Sequence, residues 1–559
     1  ILHEMSHMWF GDLVTMSWWS DLWLNESFAT YASVLAQVEA TRWKNAWTTF
    51  ANAEKAWAYA QDQLPSTHPI VADIRDLEDV EVNFDGITYA KGASVLKQLV
   101  AWVGRENFLE GVRQYFKQHA WSNTRLADLL TALEQTSGRD LSGWSAEWLE
   151  TAGVNTLRPQ FVTDDQGKII SFAVLQEASI NYPTLRSHRI AIGFYQRHEG
   201  SLLRSDRLEL DIAGACSQVP QLLGRQQPDL ILLNDDDLSY TKIRLDETSL
   251  KTLSSAIGEF ADSLPRTLCW GAAWDMIRDA ELPAREYLSL VLSGIGRESD
   301  IGVVQSLQQR AITTLDLFAD PNYRIEGRRQ LGAAAVEFLH AAAPGSDHQL
   351  AWARTLATLA ADQAHLEIVR GLLEGSEIIE GLTIDADLRW ALLLALMANG
   401  EADEAAITAE LKRDSTAAGE RQAAACRAAR PSLVAKEEAW SSVVLHEELP
   451  NAMVTAVIGG FVQPNQRELL AHFAERYFSV IPEVWEKRTN KAAQKIVVGL
   501  YPGLLVEQST VDRTDTFLND AHPMPALRRL ILEGRDGIAR ALRAQACDRT
   551  AAQPATLRG

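Results

Sequence analysis

The sequence predicts a multidomain, mainly α-helical chain. A helical first part spans residues 1–154, a small antiparallel β-sandwich spans 155–246, and an α-helical solenoid spans 247–559. Three observations predict this. The 559 residues are too many for one hydrophobic core, so three or more domains are expected. Apolar spacings of three and four residues hold up to Gly153. At Asn155 they give way to short apolar runs separated by turn residues. After Asp246 the helical spacing returns and continues nearly to the end.

In the first part, helical patterning runs from Ser6 to about Gln63. Met8, Trp9, Phe10 and Leu13 read as the continuation of a first helix, and 26–38 as a second. Trp43, Trp47, Phe50, Ala53 and Trp57 form an aromatic stripe that reads as core. Pro65 and Pro69 break the pattern. His68 between them is open as a ligand but reads better as a loop residue. Helices follow over 87–104, 106–119, 126–136 and 141–150. Strands are expected at 168–174, 189–195, 207–212 and 230–233. Beyond 247, helices are punctuated by Pro265, Pro283, Gly294, Pro321, Pro344, Gly375, Gly400, Pro431, Pro450 and Pro482. No repeat consensus emerges, yet the spacing suits paired helices of a solenoid.

Composition narrows the function. Hydrophobic residues make up 47% and charged residues 23%, the balance of a globular chain. There are 74 acidic against 53 basic residues, a formal charge of −21. Such acidity disfavours nucleic acid and anionic membranes as partners and favours cationic ligands such as the free amine of a peptide. Cys216, Cys269, Cys426 and Cys547 are scattered, without a Cys-x-x-Cys pair. They read as reduced, mostly buried thiols of a cytoplasmic protein. No apolar run is long enough to span a bilayer.

The chemistry concentrates at the start, in Ile1-Leu2-His3-Glu4-Met5-Ser6-His7-Met8-Trp9-Phe10-Gly11. His3 and His7, four apart on a helix, share one face and can reach one ion. Glu4 between them can act on a water at that ion. Glu26, after 18 intervening residues, can close the site as a third ligand. A His-Glu-x-x-His alone arises by chance in roughly 7% of chains this long. The apolar and aromatic crowding around it, and the Trp18-Trp19-x-Asp21-Leu22-Trp23 run before Asn25-Glu26, weigh against coincidence. Asp21 is open between a turn aspartate and an acceptor orienting His3 or His7.

This stretch resembles the zinc-binding region of the M1 (gluzincin) zinc aminopeptidases, the aminopeptidase N-like family. Positions 3, 4, 7, 9–11 and 23–26 match its His-Glu-x-x-His, Trp-Phe-Gly and Trp-Leu-Asn-Glu elements. Phe84-Asp85-x-Ile87-x-Tyr89-x-Lys91-Gly92 is similar to its tyrosine-bearing segment, and the domain order also agrees. The style of 265–270 and 234–237 is similar to bacterial, actinobacterial members.

The resemblance implies a helical, thermolysin-like catalytic part and one Zn²⁺ per chain, held by His3, His7 and Glu26. It makes Glu4 the general base and acid, and Tyr89 the oxyanion donor. It implies a hydrolase that releases N-terminal residues from peptides with a free N-terminus, and beside it the chain is expected to act as a cytoplasmic monomer. Two rivals are weighed against it: a zinc endopeptidase, and a non-catalytic scaffold on the same fold. The family's Gly-x-Met-Glu-Asn motif, which holds the substrate amine, does not occur in these residues. The chain therefore reads as the C-terminal part of a longer protein, beginning at the His-Glu-x-x-His motif. The N-terminal β domain and the first part of the catalytic domain are expected upstream.

Overall fold

A computed structural model describes residues 1–72, 74, 85–446 and 449–552. Phe84, part of the tyrosine-bearing segment, lies outside the described residues. The contacts define two units, Ile1–Met276 with Arg297–Val303, and Ile277–Gly296 with Val304–Gly559.

The first unit begins with a short helix, α1 (Leu2–Ser6), and a long one, α2 (Leu22–Ala40). The expectation that α1 continues through Leu13 is corrected. The helix ends at Ser6, turns follow, and the chain then forms strand β1 (Val14–Met16). Gly11 adopts φ +134°, a conformation that side chains disfavour. Phe10 is then fully buried, its ring centroid 3.9 Å from Phe28 on α2 and 5.5 Å from Tyr115. β1 pairs in parallel with β2 (Ser122–Thr124).

The core of this part joins Phe10, Val14, Trp23, Phe28, Tyr31 and Phe50 to the helices Gly92–Val103 and Arg105–His119. The crowding around the motif is only partly burial. Phe10 and Trp23 are inside, but Met5, Met8, Trp9, Trp18 and Trp19 are exposed; of these only Met5 lies on the short helix, and the others lie in the turns that follow it and at the start of the next turn before α2. The aromatic stripe divides likewise: Phe50 is buried, while Trp43 and Trp57 are exposed.

In the first unit two described stretches wind as π-helix, Phe50–Lys55 and Ile87–Lys91. The second leads into Gly92–Val103, whose first residue must be glycine. A Cβ on Gly92 would stand 1.9 Å from Oγ of Ser27 on α2.

The β region contains the expected strands and more, in two sheets. One orders Cys216–Gln218, Ile169–Glu177, Thr156–Thr163 and Lys242–Ile243; the other orders Ser201–Ile212, His188–His198 and Leu230–Leu233. One pairing departs from the antiparallel expectation, since Thr156–Thr163 runs parallel to Lys242–Ile243.

The second unit is helical. Asp347–Leu359, Ala386–Ala398, Ala417–Ala429, Asn451–Phe461, Asn490–Leu500 and Pro525–Ala551 stack successively. Each pairs with the helix before it in the chain: Pro321–Ala341, Gln363–Glu374, Glu404–Arg413, Leu433–Val444, Arg467–Lys487 and Gln508–Asp520. This is the paired-helix solenoid that the spacing predicts. Pro482 is the exception among the breakers, lying inside Arg467–Lys487 without ending it. Of the cysteines, Cys269 and Cys426 are buried, Cys547 is half-buried and Cys216 is exposed, so only two fit the expectation of burial. No described helix is long and apolar enough to cross a membrane.

Candidate metal centre

His3 lies within α1 and His7 caps its C-terminal end, so the four-residue spacing places both rings on the side facing α2. From α2, Glu26 points back at them. Nε2 of His3 is 3.1 Å from Nε2 of His7 and 3.3 Å from Oε2 of Glu26, and Nε2 of His7 is 3.5 Å from the same oxygen. Among the described residues this is the one group of three His, Cys, Asp or Glu side chains whose ligand atoms converge, all within 4.8 Å of one another.

Outer contacts fix the ring orientations. Nδ1 of His7 stands 3.1 Å from the Phe10 carbonyl and 3.0 Å from Oδ1 of Asn25. A carbonyl only accepts, so Nδ1 carries the proton and Nε2 presents its lone pair to the centre. Nδ1 of His3 is 3.2 Å from Oγ1 of Thr30, one helical turn beyond Glu26. A Cβ on Gly11 would come within 2.9 Å of the His7 carbonyl and 3.3 Å of Oδ1 of Asn25, so glycine keeps this corner open.

The donor set fits zinc. Ligand atoms about 2.0–2.1 Å from a tetrahedral ion lie about 3.3 Å from one another. The three separations, 3.1, 3.3 and 3.5 Å, scatter about that value. Two imidazoles and one carboxylate also leave a fourth position free.

Tyr89 and Glu4 border the cluster. The Tyr89 ring lies 6.4 Å from that of His3 at 28° and is hydrogen-bonded to Glu26. Burial first, and then the charges of Glu26 and Glu4, hold its phenol above the ordinary pKa, so it stays a proton donor at neutral pH. Glu4 is exposed.

The turn carrying Tyr89 is capped by Asp85, whose Oδ1 accepts from the amides of Ile87 (2.9 Å) and Thr88 (3.2 Å). His68 is not brought to the cluster. Its Nε2 lies 3.0 Å from Oδ2 of Asp85, and its Nδ1 2.7 Å from the Pro69 carbonyl. Of the two readings open for Asp21, the structure agrees with the turn aspartate: its Oδ2 accepts from the Leu126 amide at 3.1 Å, and Asn25 and Thr30 stand behind the histidines instead. Sequence reasoning missed both of these residues. The signal available was position alone, Asn25 beside Glu26 and Thr30 four residues after it.

Two histidines of a His-Glu-x-x-His turn, converging with a glutamate from the next long helix in a helical domain, make the architecture of a metallopeptidase domain. Residues 1–148 match the Peptidase family M1 domain, and residues 230–540 match the ERAP1-like C-terminal domain. An aminopeptidase N from Streptomyces lividans is 59% identical over 99% of this chain. A Tricorn protease-interacting factor F2 from Thermoplasma volcanium is 30% identical over 55% of it, and a leucyl aminopeptidase from Saccharolobus solfataricus 42% identical over 28%. The chain spans 66%, 37% and 20% of the length of these relatives, respectively. The chain belongs to peptidase family M1. Aminopeptidases of this family are metallopeptidases, generally zinc-dependent.

Proposed function

We propose that this chain supplies the zinc site and the proton-transfer groups of an aminopeptidase that releases N-terminal residues from peptides. The observation that carries the reading is the spacing of Nε2 of His3, Nε2 of His7 and Oε2 of Glu26, which suits one tetrahedral Zn²⁺ per chain. When bound there, zinc polarises a carbonyl and lowers the pKa of water to about 7.

The remaining steps belong to the side chains. Glu4 takes the proton of the attacking water and delivers it to the leaving amine. Tyr89, protonated and beside the cluster, donates a hydrogen bond to the oxygen on which negative charge develops. Glu26 adds negative charge where the substrate's ammonium would lie, consistent with the overall charge of −21. We assign residues 1–154 to the helical part of the catalytic domain, 155–246 to the β-sandwich and 247–559 to the solenoid. The protein is proposed to act as a cytoplasmic monomer, without nucleic-acid or membrane partners.

The test uses the full-length protein on matched peptides with free and acetylated N-termini, with zinc measured alongside. Cleavage confined to free N-termini is the expected result. Equal cleavage of acetylated peptides would make it an endopeptidase. One zinc per chain without hydrolysis across a broad panel of aminoacyl-arylamides would make it a scaffold.

A further inference from the structure

The turn that carries Tyr89 is held from three sides. At its start is the Asp85 cap. On its flank, Oγ of Ser27, next to Glu26 in the chain, donates a 2.6 Å bond to the Thr88 carbonyl inside the core. At its end lies Lys91, two residues beyond Tyr89. Its Nζ is 3.0 Å from Oδ2 of Asp62, and neither side chain has any exposure.

Asp62 is fully engaged. Oδ1 accepts from the Gly153 amide (2.9 Å) and Oγ1 of Thr67 (2.6 Å), and Oδ2 also accepts from the Tyr240 hydroxyl (3.2 Å). The Lys91 ammonium sits 5.8 Å from the centre of the Tyr240 ring.

Burying both charges costs several kcal/mol per ion before their attraction is counted, and apolar pairs of similar volume often serve stability as well. The pair therefore needs an account other than stability. A π-helical turn supplies one. Its i→i+5 winding is rarely stable by itself and occurs mostly as a single turn at functional sites. Whether Ile87–Lys91 winds as π or relaxes to α depends on where its last residue is pinned. In the observed π register the Lys91 ammonium stands 3.0 Å from Oδ2 of Asp62, so the pair fixes the last residue of the turn where that register puts it.

We propose that Lys91, through its buried pair with Asp62, is a positioning residue that holds the Ile87–Lys91 turn in its π register and thereby sets Tyr89 against the His3–His7–Glu26 centre. This rests on the reading of Tyr89 as the oxyanion donor. Lys91 touches neither the cluster nor the substrate and acts only through the turn.

The test is a double-mutant cycle in the full-length enzyme, with Lys91→Met and Tyr89→Phe separately and together. Asp62→Asn, which keeps the shape of the site, provides a second route should Lys91→Met fold poorly. Displacing a catalytic group by about 1 Å costs on the order of 10²-fold in rate. Either variant of the pair should accordingly lower kcat by about 10- to 100-fold with KM and zinc content nearly unchanged. In the Tyr89→Phe background the same change should cost less than about twofold, because the group it positions is gone. Effects that multiply in the double variant, or a kcat within about twofold of the parent, would overturn the proposal. An unaffected Tyr89→Phe single variant would instead overturn the reading of Tyr89 itself.

Discussion

Oδ1 of Asn25 lies 3.0 Å from Nδ1 of His7, and the Phe10 carbonyl lies 3.1 Å from the same nitrogen. Two acceptors on one ring nitrogen fix the tautomer, and the other nitrogen faces Glu26 as a ready lone pair. Thr30 stands in the corresponding place behind His3, at 3.2 Å. Adjacent residues of α2 thus do complementary work, Glu26 within the cluster and Asn25 behind it.

Removing these supports should weaken zinc binding without removing a ligand. Asn25→Ala and Thr30→Val are each expected to lower zinc affinity about 10- to 100-fold, as losses of outer hydrogen bonds at metal sites generally do. Competition against a chromophoric chelator measures this. Parent-like affinity in both variants would remove the orienting role.

Glu4 is exposed and is not among the converging ligand atoms, so changing it should separate chemistry from metal binding. Glu4→Gln is expected to lower kcat by about 10²- to 10⁴-fold with full zinc occupancy. Elemental analysis beside single-turnover kinetics checks both halves. Zinc lost together with activity would show that Glu4 supports the site rather than the proton transfer.

Tyr89→Phe keeps the ring near His3 and removes only the hydroxyl. The expected loss is about 3 kcal/mol of transition-state stabilisation, a fall in kcat of about 10²-fold with little change in KM. A rise in KM at constant kcat would mean that the hydroxyl binds substrate and transition state alike.

In the second unit, Lys436 is fully buried without an ion-pair partner among the described contacts. Its Nζ donates to the carbonyls of Ala428 (2.8 Å), Gly460 (3.4 Å) and Phe461 (2.9 Å), at the C-terminal ends of two stacked helices. Lysine there meets the unpaired carbonyls that every helix end leaves. Burial pushes its pKa from 10.5 down to about 7. Below pH 7 both folded and unfolded forms carry the proton, and the cost of burying the charge is full. Between pH 7 and 10.5 the unfolded chain binds more protons than the folded one, so stability from this group rises with pH. Lys436→Met should cost about 1–3 kcal/mol at pH 9, where the neutral amine still donates to two of these carbonyls and no charge is buried, and less at pH 6. Urea denaturation at the two pH values tests the sign, and a difference that does not change with pH would contradict it.

What the sequence made legible follows from the reach of each interaction. His3, Glu4 and His7 are placed by helical spacing over short distances, and the sequence carries that spacing openly; Glu26, on α2, was legible through the 18-residue interval and the Trp-Leu-Asn-Glu element around it. Tyr89 became legible only through the residues around it, Asp85, Ile87, Lys91 and Gly92. Asn25 and Thr30 could not be assigned, because their roles exist only once α2 lies against α1. The early end of α1 was hidden for a related reason. Phe10 fits a helical stripe as well as it fits a core pocket, and the preference of Gly11 for φ +134° decides between them. The parallel pairing of Thr156–Thr163 with Lys242–Ile243 joins segments more than 80 residues apart, beyond any local pattern.

The π-helical turn makes residue number matter as much as residue identity. Each residue of a helix rotates the chain by about 100°. Deleting Ala90 would leave every functional side chain of the site in the sequence, yet it would swing Tyr89 about a quarter-turn relative to Lys91 and Gly92. A substitution on this turn removes one contact. A one-residue deletion is expected to turn the phenol away from His3, His7 and Glu26, so the length of the turn should matter to activity as much as any single side chain on it.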